Sequence, residues 1–88
     1  MTVTCTSDGI EDIGSGVTIE RRYLDGHLAG IAYQHACGGP VVEGWIPLDG
    51  TPLAWTLVSA QPLTIAPSLL CRACGHHGFI RDGRWVPA

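Results

Sequence analysis

The chain has 88 residues, a formal net charge of −3 and 45% hydrophobic residues. A chain this short forms one domain and buries only about 60% of the surface that it exposes when unfolded, so we expect a metal, disulfides or a partner to add stability. Its hydrophobic content excludes wholesale disorder, and seven acids against two arginines in the first 50 residues exclude the strongly basic patch of a nucleic-acid-binding protein.

The first 15 residues are rich in acids and turn formers, and they predict a solvated, turn-rich segment before the rest of a single domain (1–88). Asp8, Glu11 and Asp12 lack the alternating spacing of a calcium loop, and Cys5 is interpreted as a small buried hydrophobe. The start has no secretory signal pattern, and no apolar run approaches the ~18 residues of a spanning helix. We therefore expect a cytoplasmic protein with no membrane segment, in which clustered cysteines bind metal more often than they form disulfides.

Short alternating stretches between closely spaced glycines and prolines predict an all-β domain built from antiparallel hairpins. The stretches "GVTIERRYL" and "LAGIAYQHAC" are joined by Asp25-Gly26, a strong hairpin signal. "LAWTLVSAQPLTIAP" predicts one or two further strands, broken near Pro62. Asp82-Gly83 predicts the turn of a last hairpin, "FIRDGRWV".

Two pairs of potential ligands, each followed by glycine, predict one structural metal site in a zinc-ribbon-like arrangement. Cys71 and Cys74 form a Cys-x-x-Cys-Gly knuckle, in which two thiolates converge. His35 and Cys37 lie two positions apart, so on a strand they face the same side. A tetrahedral Zn²⁺ is satisfied by four such ligands. Tyr33 is in phase with His35 and is expected to line the core beside it.

His77 is the first alternative ligand, because it lies three positions after Cys74 and could replace Cys71 in the shell. As a non-ligand it could still donate a hydrogen bond to a ligand, and His76 is interpreted as a solvated neighbour. A redox Cys-x-x-Cys would require a βαβ context, which the strand pattern does not offer. Two disulfides and unliganded core cysteines remain alternatives. Enough ligands are present to close a shell, which favours a structural over a catalytic metal.

The tryptophans have two interpretations. Trp55, in the middle of an apolar stretch, is expected to pin the core. Trp45 and Trp85 either pack likewise or form an exposed patch for a partner, since Trp and Arg are enriched in interface hot spots. Arg81 and Arg84 share the last hairpin with Trp85, which makes this hairpin a candidate partner surface.

Residues 55–85, "WTLVSAQPLTIAPSLLCRACGHHGFIRDGRW", resemble a family of small domains of unknown function that is widespread in actinobacterial phages. The resemblance lies in the Trp-centred strand, the "LTIAPSL" strand, the Cys followed by "HGFIR", and the Asp-Gly turn. It implies a compact β fold with bound zinc and a phage origin, which also suits the lysine-free composition. It implies a ligand pair at Cys74 and His77, with His35-x-Cys37-Gly in place of an upstream Cys-x-Cys-Gly, and it brings no established activity.

The resulting functional prediction is a zinc-binding module that engages a host or phage protein through the last hairpin and nearby aromatic residues. One alternative is a hydrolase or nuclease-like fragment with His76 or His77 beside an open metal site. A weaker alternative is nucleic-acid binding through Arg72, Arg81 and Arg84. A homodimer that covers sheet edges is also expected to be possible.

Overall fold

The computed structural model describes residues 4–48, 50 and 54–88, and within these ranges all regular structure is antiparallel β. A four-stranded sheet has the order β1-β2-β3-β4, a hairpin consists of β5 and β6, and a three-stranded sheet has the order β7-β8-β9. The strands are β1 (Cys5–Gly14), β2 (Val17–Leu24), β3 (His27–Ala36), β4 (Val41–Pro47), β5 (Thr56–Ala60), β6 (Leu63–Ala66), β7 (Leu69–Leu70), β8 (His77–Arg81) and β9 (Arg84–Pro87). No helix long and apolar enough to cross a membrane occurs in the described ranges. The all-β prediction is confirmed.

The tight turns lie where the sequence predicts them. Asp25 and Gly26 connect β2 to β3 with φ angles of 50° and 82°, and Asp82 and Gly83 connect β8 to β9 with φ angles of 51° and 74°. Positive φ at both central residues is the requirement of a type I′ hairpin turn, which Asp-Gly meets at low cost. The predicted break near Pro62 is also found, between β5 and β6.

The prediction of a turn-rich loop is wrong for Cys5–Gly14, because this stretch is a strand paired with β2; residues 1–3 of the predicted segment lie outside the described residues. The pairing is irregular, with register shifts that absorb the turn-forming residues of this segment. Ile13 is buried at its inner end, and Arg21 of β2 donates from Nε to Glu11 over 2.9 Å. Pairing with β2, the burial of Ile13 and the Arg21–Glu11 contact together outweigh the weak strand propensity of this acidic segment. Cys5 is exposed at the outer end, so its interpretation as a buried hydrophobe is also wrong.

The hydrophobic core joins the four-stranded sheet to the C-terminal strands. One buried cluster takes residues from both parts: Ile13, Val17, Ile19, Ile31, Tyr33 and Ile46 from β1–β4, and Leu63, Ile65, Leu69, Ile80 and Trp85 from β6–β9. Trp55 packs against this cluster from its edge, in line with its predicted core role. Arg21 is buried as well and donates from Nη1 to the carbonyl oxygen of Ala60 over 2.6 Å, which links β2 to β5.

Two glycines lie directly under tryptophan rings, and they allow a prediction. A Cβ at Gly78 would lie 2.5 Å from the buried ring of Trp85, and a Cβ at Gly30 would lie 2.4 Å from the half-exposed ring of Trp45. Both would also lie 2.7 Å from a carbonyl oxygen. We expect Gly78→Ala to lower the free energy of unfolding by roughly 1–3 kcal/mol, the cost of overpacking a core.

Gly30→Ala is the matched control in urea denaturation. Its backbone contact is the same, but the ring of Trp45 can swing into solvent, so its cost is expected to be smaller. Equal costs for the two variants would show that the carbonyl contacts, and not the burial of the Trp85 ring, decide the effect.

Candidate metal centre

The structure brings four of the five predicted ligands together at one end of the core. The ligand atoms of His35, Cys37, Cys71 and Cys74 all lie within 4.8 Å of one another. His35 lies near the end of β3 and Cys37 in the turn that follows, whereas the other two cysteines lie in the turn between β7 and β8. The cluster therefore joins the first sheet to the last one, and it can hold one metal ion.

The first turn of the site depends on a pair of glycines. Gly38 and Gly39 have φ angles of 65° and 119°, which side-chain-bearing residues rarely adopt. They let the chain reverse so that the amide of Cys37 donates to the carbonyl oxygen of Pro40 over 2.8 Å. This closed turn holds the Cys37 sulfur beside His35.

The second turn is the predicted Cys-x-x-Cys-Gly knuckle. Gly75, with a φ of 77°, donates from its amide to the carbonyl oxygen of Cys71 over 2.7 Å, and the Cys71 amide donates to His76 over 2.8 Å. The knuckle directs the backbone amides of Cys74 and Ala73 at the Cys71 sulfur, and these amides lower the pKa of that thiol. Hydrogen bonds to the charged form favour ionisation, so Cys71 is prepared to act as a thiolate ligand.

The three sulfurs are too close to ionise together unless a cation lies between them. The Sγ atoms of Cys37 and Cys71 are 3.8 Å apart. The pKa of Cys37 is raised to about 11, first by its hydrogen bond to Cys74, then by burial and by Cys71. A bound metal ion deprotonates coordinating thiols and removes this repulsion. A donor set of three sulfurs and one imidazole fits soft and borderline metals.

His35 presents Nε2 to the cluster, 3.5 Å from the Cys74 sulfur. Its side chain is 4% exposed, and its Nδ1 atom is buried without a hydrogen-bond partner among the described residues. Burial, followed by the charge of His76, lowers the pKa of the imidazole. The neutral ring that results is the form that binds metals, and Nε2 is the atom placed to do so.

His35 is one of four stacked aromatic rings, and the other three hold its imidazole in place. His35 stacks on Tyr33 and on His76 with centroid distances of 5.0 and 4.8 Å, and Trp85 stacks on His76 at 4.6 Å. The Tyr33 hydroxyl and His76 Nδ1 share a hydrogen bond of 3.0 Å. The pKa of Tyr33 is raised to about 12, mainly by burial and then by the nearby thiolates. The prediction for Tyr33 is confirmed, whereas His76 is a packed member of the site and not a solvated neighbour.

His77 lies outside the cluster. It begins β8, where successive side chains point to opposite faces. Because His76 faces the core, His77 faces away, and its Nε2 is 2.9 Å from the Ser68 hydroxyl. The ligand pair that the family resemblance implies, Cys74 with His77, is therefore not brought together.

The candidate partner residues separate into buried and exposed ones. Trp85 is 6% exposed and belongs to the core, so its interpretation as an exposed partner contact is wrong. Trp45 is 52% exposed. Arg81 and Arg84 are also exposed, and the guanidinium of Arg81 lies 4.5 Å above the ring of Phe79. The last hairpin therefore exposes its two arginines to a partner but keeps its tryptophan buried in the core.

Acid is expected to release a metal ion bound by this cluster and to lower the stability of the fold. The pKa of His35 is depressed below its unfolded value of 6.5, so the unfolded chain binds the proton more tightly. Its contribution to stability is present above about pH 6.5 and is lost as the pH falls through the lower folded pKa. Protonation of the thiolates acts in the same direction. Metal release to a coloured chelator and the melting temperature, both followed from pH 8 to pH 4.5, should change together; a melting temperature constant over this range would contradict the expectation.

Comparison with known proteins adds no relative: the chain matches no family model, no curated protein and no solved structure. The resemblance to the phage family therefore stays a prediction.

Proposed function

We propose that the protein is a zinc-binding module in which a structural Zn²⁺ joins the two halves of the fold and which binds another protein. The observation that carries the zinc assignment is the spacing of the donor atoms. A tetrahedral zinc with bonds of about 2.3 Å to sulfur and 2.0–2.1 Å to nitrogen separates two sulfurs by about 3.8 Å and a sulfur from a nitrogen by about 3.5 Å. Two of the six donor–donor distances here match these values, 3.8 Å for Cys37–Cys71 and 3.5 Å for Cys74–His35, and all six lie within 4.8 Å.

A structural role is favoured over a catalytic one by the number of donors. Catalytic zinc sites keep three protein ligands and an open position for water, whereas structural sites use four. Four donors converge here. The hydrolase alternative would require one of them to stay unbound.

The protein-binding part of the proposal is supported by exposed apolar side chains near the site. Val42, Trp45 and Leu70 line one groove next to the cluster, and their fractional exposures are 37%, 52% and 57%. Contiguous exposed apolar surface on a small protein often marks an interaction site. The phage origin is supported by the sequence pattern of residues 55–85 and the absence of lysine.

Native mass spectrometry tests the metal assignment. We expect one zinc per chain in protein expressed without added metal, lost in Cys71→Ser and Cys74→Ser and kept in His77→Ala. His77→Ala is the matched control, because His77 adjoins the knuckle but faces away from it. A chain without metal and with a mass four hydrogens lower would mean two disulfides, and zinc lost only in the His77 variant would mean a different shell.

A further inference from the structure

A groove runs between the first sheet and the last one, next to the cluster of cysteines. It has a volume of about 220 Å³, below the roughly 300–1,000 Å³ of small-molecule sites. Its lining includes residues 42–46 of β4 on one side and Trp55 and Leu70 on the other. Five consecutive residues of β4 take part. Because side chains alternate along a strand, a consecutive run means that the groove follows the backbone edge of β4.

The hydrogen bonds on either side of the β3–β4 ladder show which groups of β4 point to this edge. The amide of Leu48 donates to Ala29 and the amide of Cys37 donates to Pro40, and both pairs continue the β3–β4 register. Bonded and non-bonded pairs alternate in an antiparallel ladder. Val42, Gly44 and Ile46 therefore bond to β3. The odd-numbered residues of β4 direct their backbone groups away from it.

No described strand pairs with the outward backbone groups over the middle of β4. β4 is the last strand of its sheet in the described part of the chain, so the amides and carbonyls of Glu43 and Trp45 have no strand beside them. At the end of the strand, the Pro47 carbonyl accepts a 2.9 Å bond from the amide of Trp55. The chain itself already makes one such bond along this edge, and an added strand would continue it.

The opposite wall of the groove is also a strand edge. β7 is the outer strand of its sheet, and Leu70 is 57% exposed. The amide of Cys71 donates to His76, which continues the β7–β8 register, so by the same alternation the backbone of Leu70 points away from β8. A chain lying in the groove would thus meet unpaired backbone on β4 and apolar side chains of Leu70 and Trp55 on the other side.

The charge of Glu43 indicates which kind of chain segment the groove would bind. Glu43 is the one charged side chain of β4, and no arginine lies within ion-pair distance of it among the described residues. Its carboxylate accepts a long hydrogen bond of 3.5 Å from Gln34 Nε2. Opposite charges on directly paired strand residues stabilise a sheet and like charges destabilise it. With a net charge of −3 on the whole chain, a cationic residue opposite Glu43 is favoured.

We propose that β4 binds an extended segment of a partner protein as a fifth strand, with apolar side chains in the groove and an Arg or Lys opposite Glu43. This is the strand-addition mode of peptide recognition, in which backbone bonds supply affinity and pockets supply specificity. It specifies the surface and the partner chemistry of the binding module proposed above, and it rests on that function.

A second copy of the chain fits this edge less well. The β4–β4 register that uses the outward groups of Val41, Glu43 and Trp45 together places Glu43 opposite its own copy, and like charges directly opposite destabilise a sheet. Each copy would also bring its own β7 toward a groove of about 220 Å³. Sedimentation of the free protein separates the two cases, because a dimer closed through β4 would make the edge unavailable.

The test is selection of binders from a displayed library of random dodecapeptides on the zinc-loaded protein. We expect selected peptides to alternate apolar with basic or aromatic residues. Amide hydrogen exchange then reports the mode directly. In the complex, the amides of Glu43 and Trp45 should become protected, whereas those of Val42, Gly44 and Ile46 should be protected with or without peptide. Unchanged exchange at Glu43 and Trp45 would overturn the proposal.

Two variants should block strand addition in different ways. Gly44→Val adds a side chain whose Cβ meets only Tyr33, at 3.4 Å, so the fold is expected to accept it. Glu43→Pro removes an outward amide, and proline is tolerated at such edge positions. Each should weaken peptide binding by at least about tenfold, the loss typical of an interface hot spot, while zinc content stays at one per chain.

Arg84→Ala is the control on the last hairpin and should bind like the parent protein. Peptides that bind but lose affinity only in Arg84→Ala would leave the binding function in place and overturn the edge proposal. A folded, zinc-loaded protein that selects no peptide would count against both.

Discussion

Removal of the proposed zinc with a strong chelator is expected to lower the melting temperature of the protein by about 15–30 °C. Cys37 and Cys71 are 34 positions apart in the chain. A crosslink that closes a loop of this length restricts the unfolded chain by about 4 kcal/mol in the chain-entropy model. For a domain of 60–100 residues, each kcal/mol corresponds to roughly 4–8 °C, and the lost metal bonds add to the effect.

The loss of stability on chelation should affect both the four-stranded sheet and the three-stranded sheet. The cluster joins the end of β3 to the β7–β8 turn, and the four-ring stack continues from His35 to Trp85 in β9. Near-ultraviolet circular dichroism of the tryptophans should therefore fall together with the melting temperature. The hydrophobic cluster that also joins the two halves is expected to keep the chelated protein partly compact.

Cys71→Ser and Cys5→Ser form the matched pair for this expectation. Both replace a free thiol by a hydroxyl, but Cys5 is exposed at the start of β1 and far from the cluster in sequence. Cys71→Ser should behave like the chelated parent protein, and Cys5→Ser like the untreated one. If chelation shifts the melting temperature by only a few degrees, the cluster does not hold the fold together.

Local signals in the sequence were sufficient for the hairpins and for a short set of candidate ligands. The Asp-Gly turns require positive φ, and few residue types supply it, so Asp25-Gly26 and Asp82-Gly83 are readable without the rest of the fold. The same holds for the knuckle at Cys71 and Cys74. The pairing of this knuckle with His35 and Cys37 was predicted from their spacing and the glycines that follow each pair, whereas the choice between Cys71 and His77 stayed open.

Other features depend on contacts between distant segments and could not be predicted in this way. The acidic segment of β1 has the composition of a loop, and it becomes a strand because β2 offers it a partner. His76 and His77 are adjacent in sequence, and the face that each occupies depends on where β8 begins. The free edge of β4 depends on the strand order of the whole sheet.

Trp85→Ala is expected to lower the free energy of unfolding by about 3–5 kcal/mol, the usual cost of truncating a buried aromatic residue. The Trp85 ring belongs to the main core cluster and lies 4.6 Å from His76 and 5.7 Å from Tyr33, centroid to centroid. Its loss leaves a cavity within the ring stack that positions His35. We therefore expect weaker metal binding as well as lower stability, measured by urea denaturation and by competition with a chelator of known affinity.

Trp45→Ala is the control that separates packing from partner binding. The Trp45 ring is half exposed on the outer side of β4. Its removal should therefore lower the free energy of unfolding by well under half of the loss expected for Trp85→Ala. In peptide binding the order should be reversed: Trp45→Ala should lose more affinity than Trp85→Ala, because Trp45 borders the groove and Trp85 does not. Equal stability losses would mean that Trp85 is not the support of the site. A folded Trp85→Ala protein that keeps its metal but loses its partner would restore the last hairpin as the binding surface.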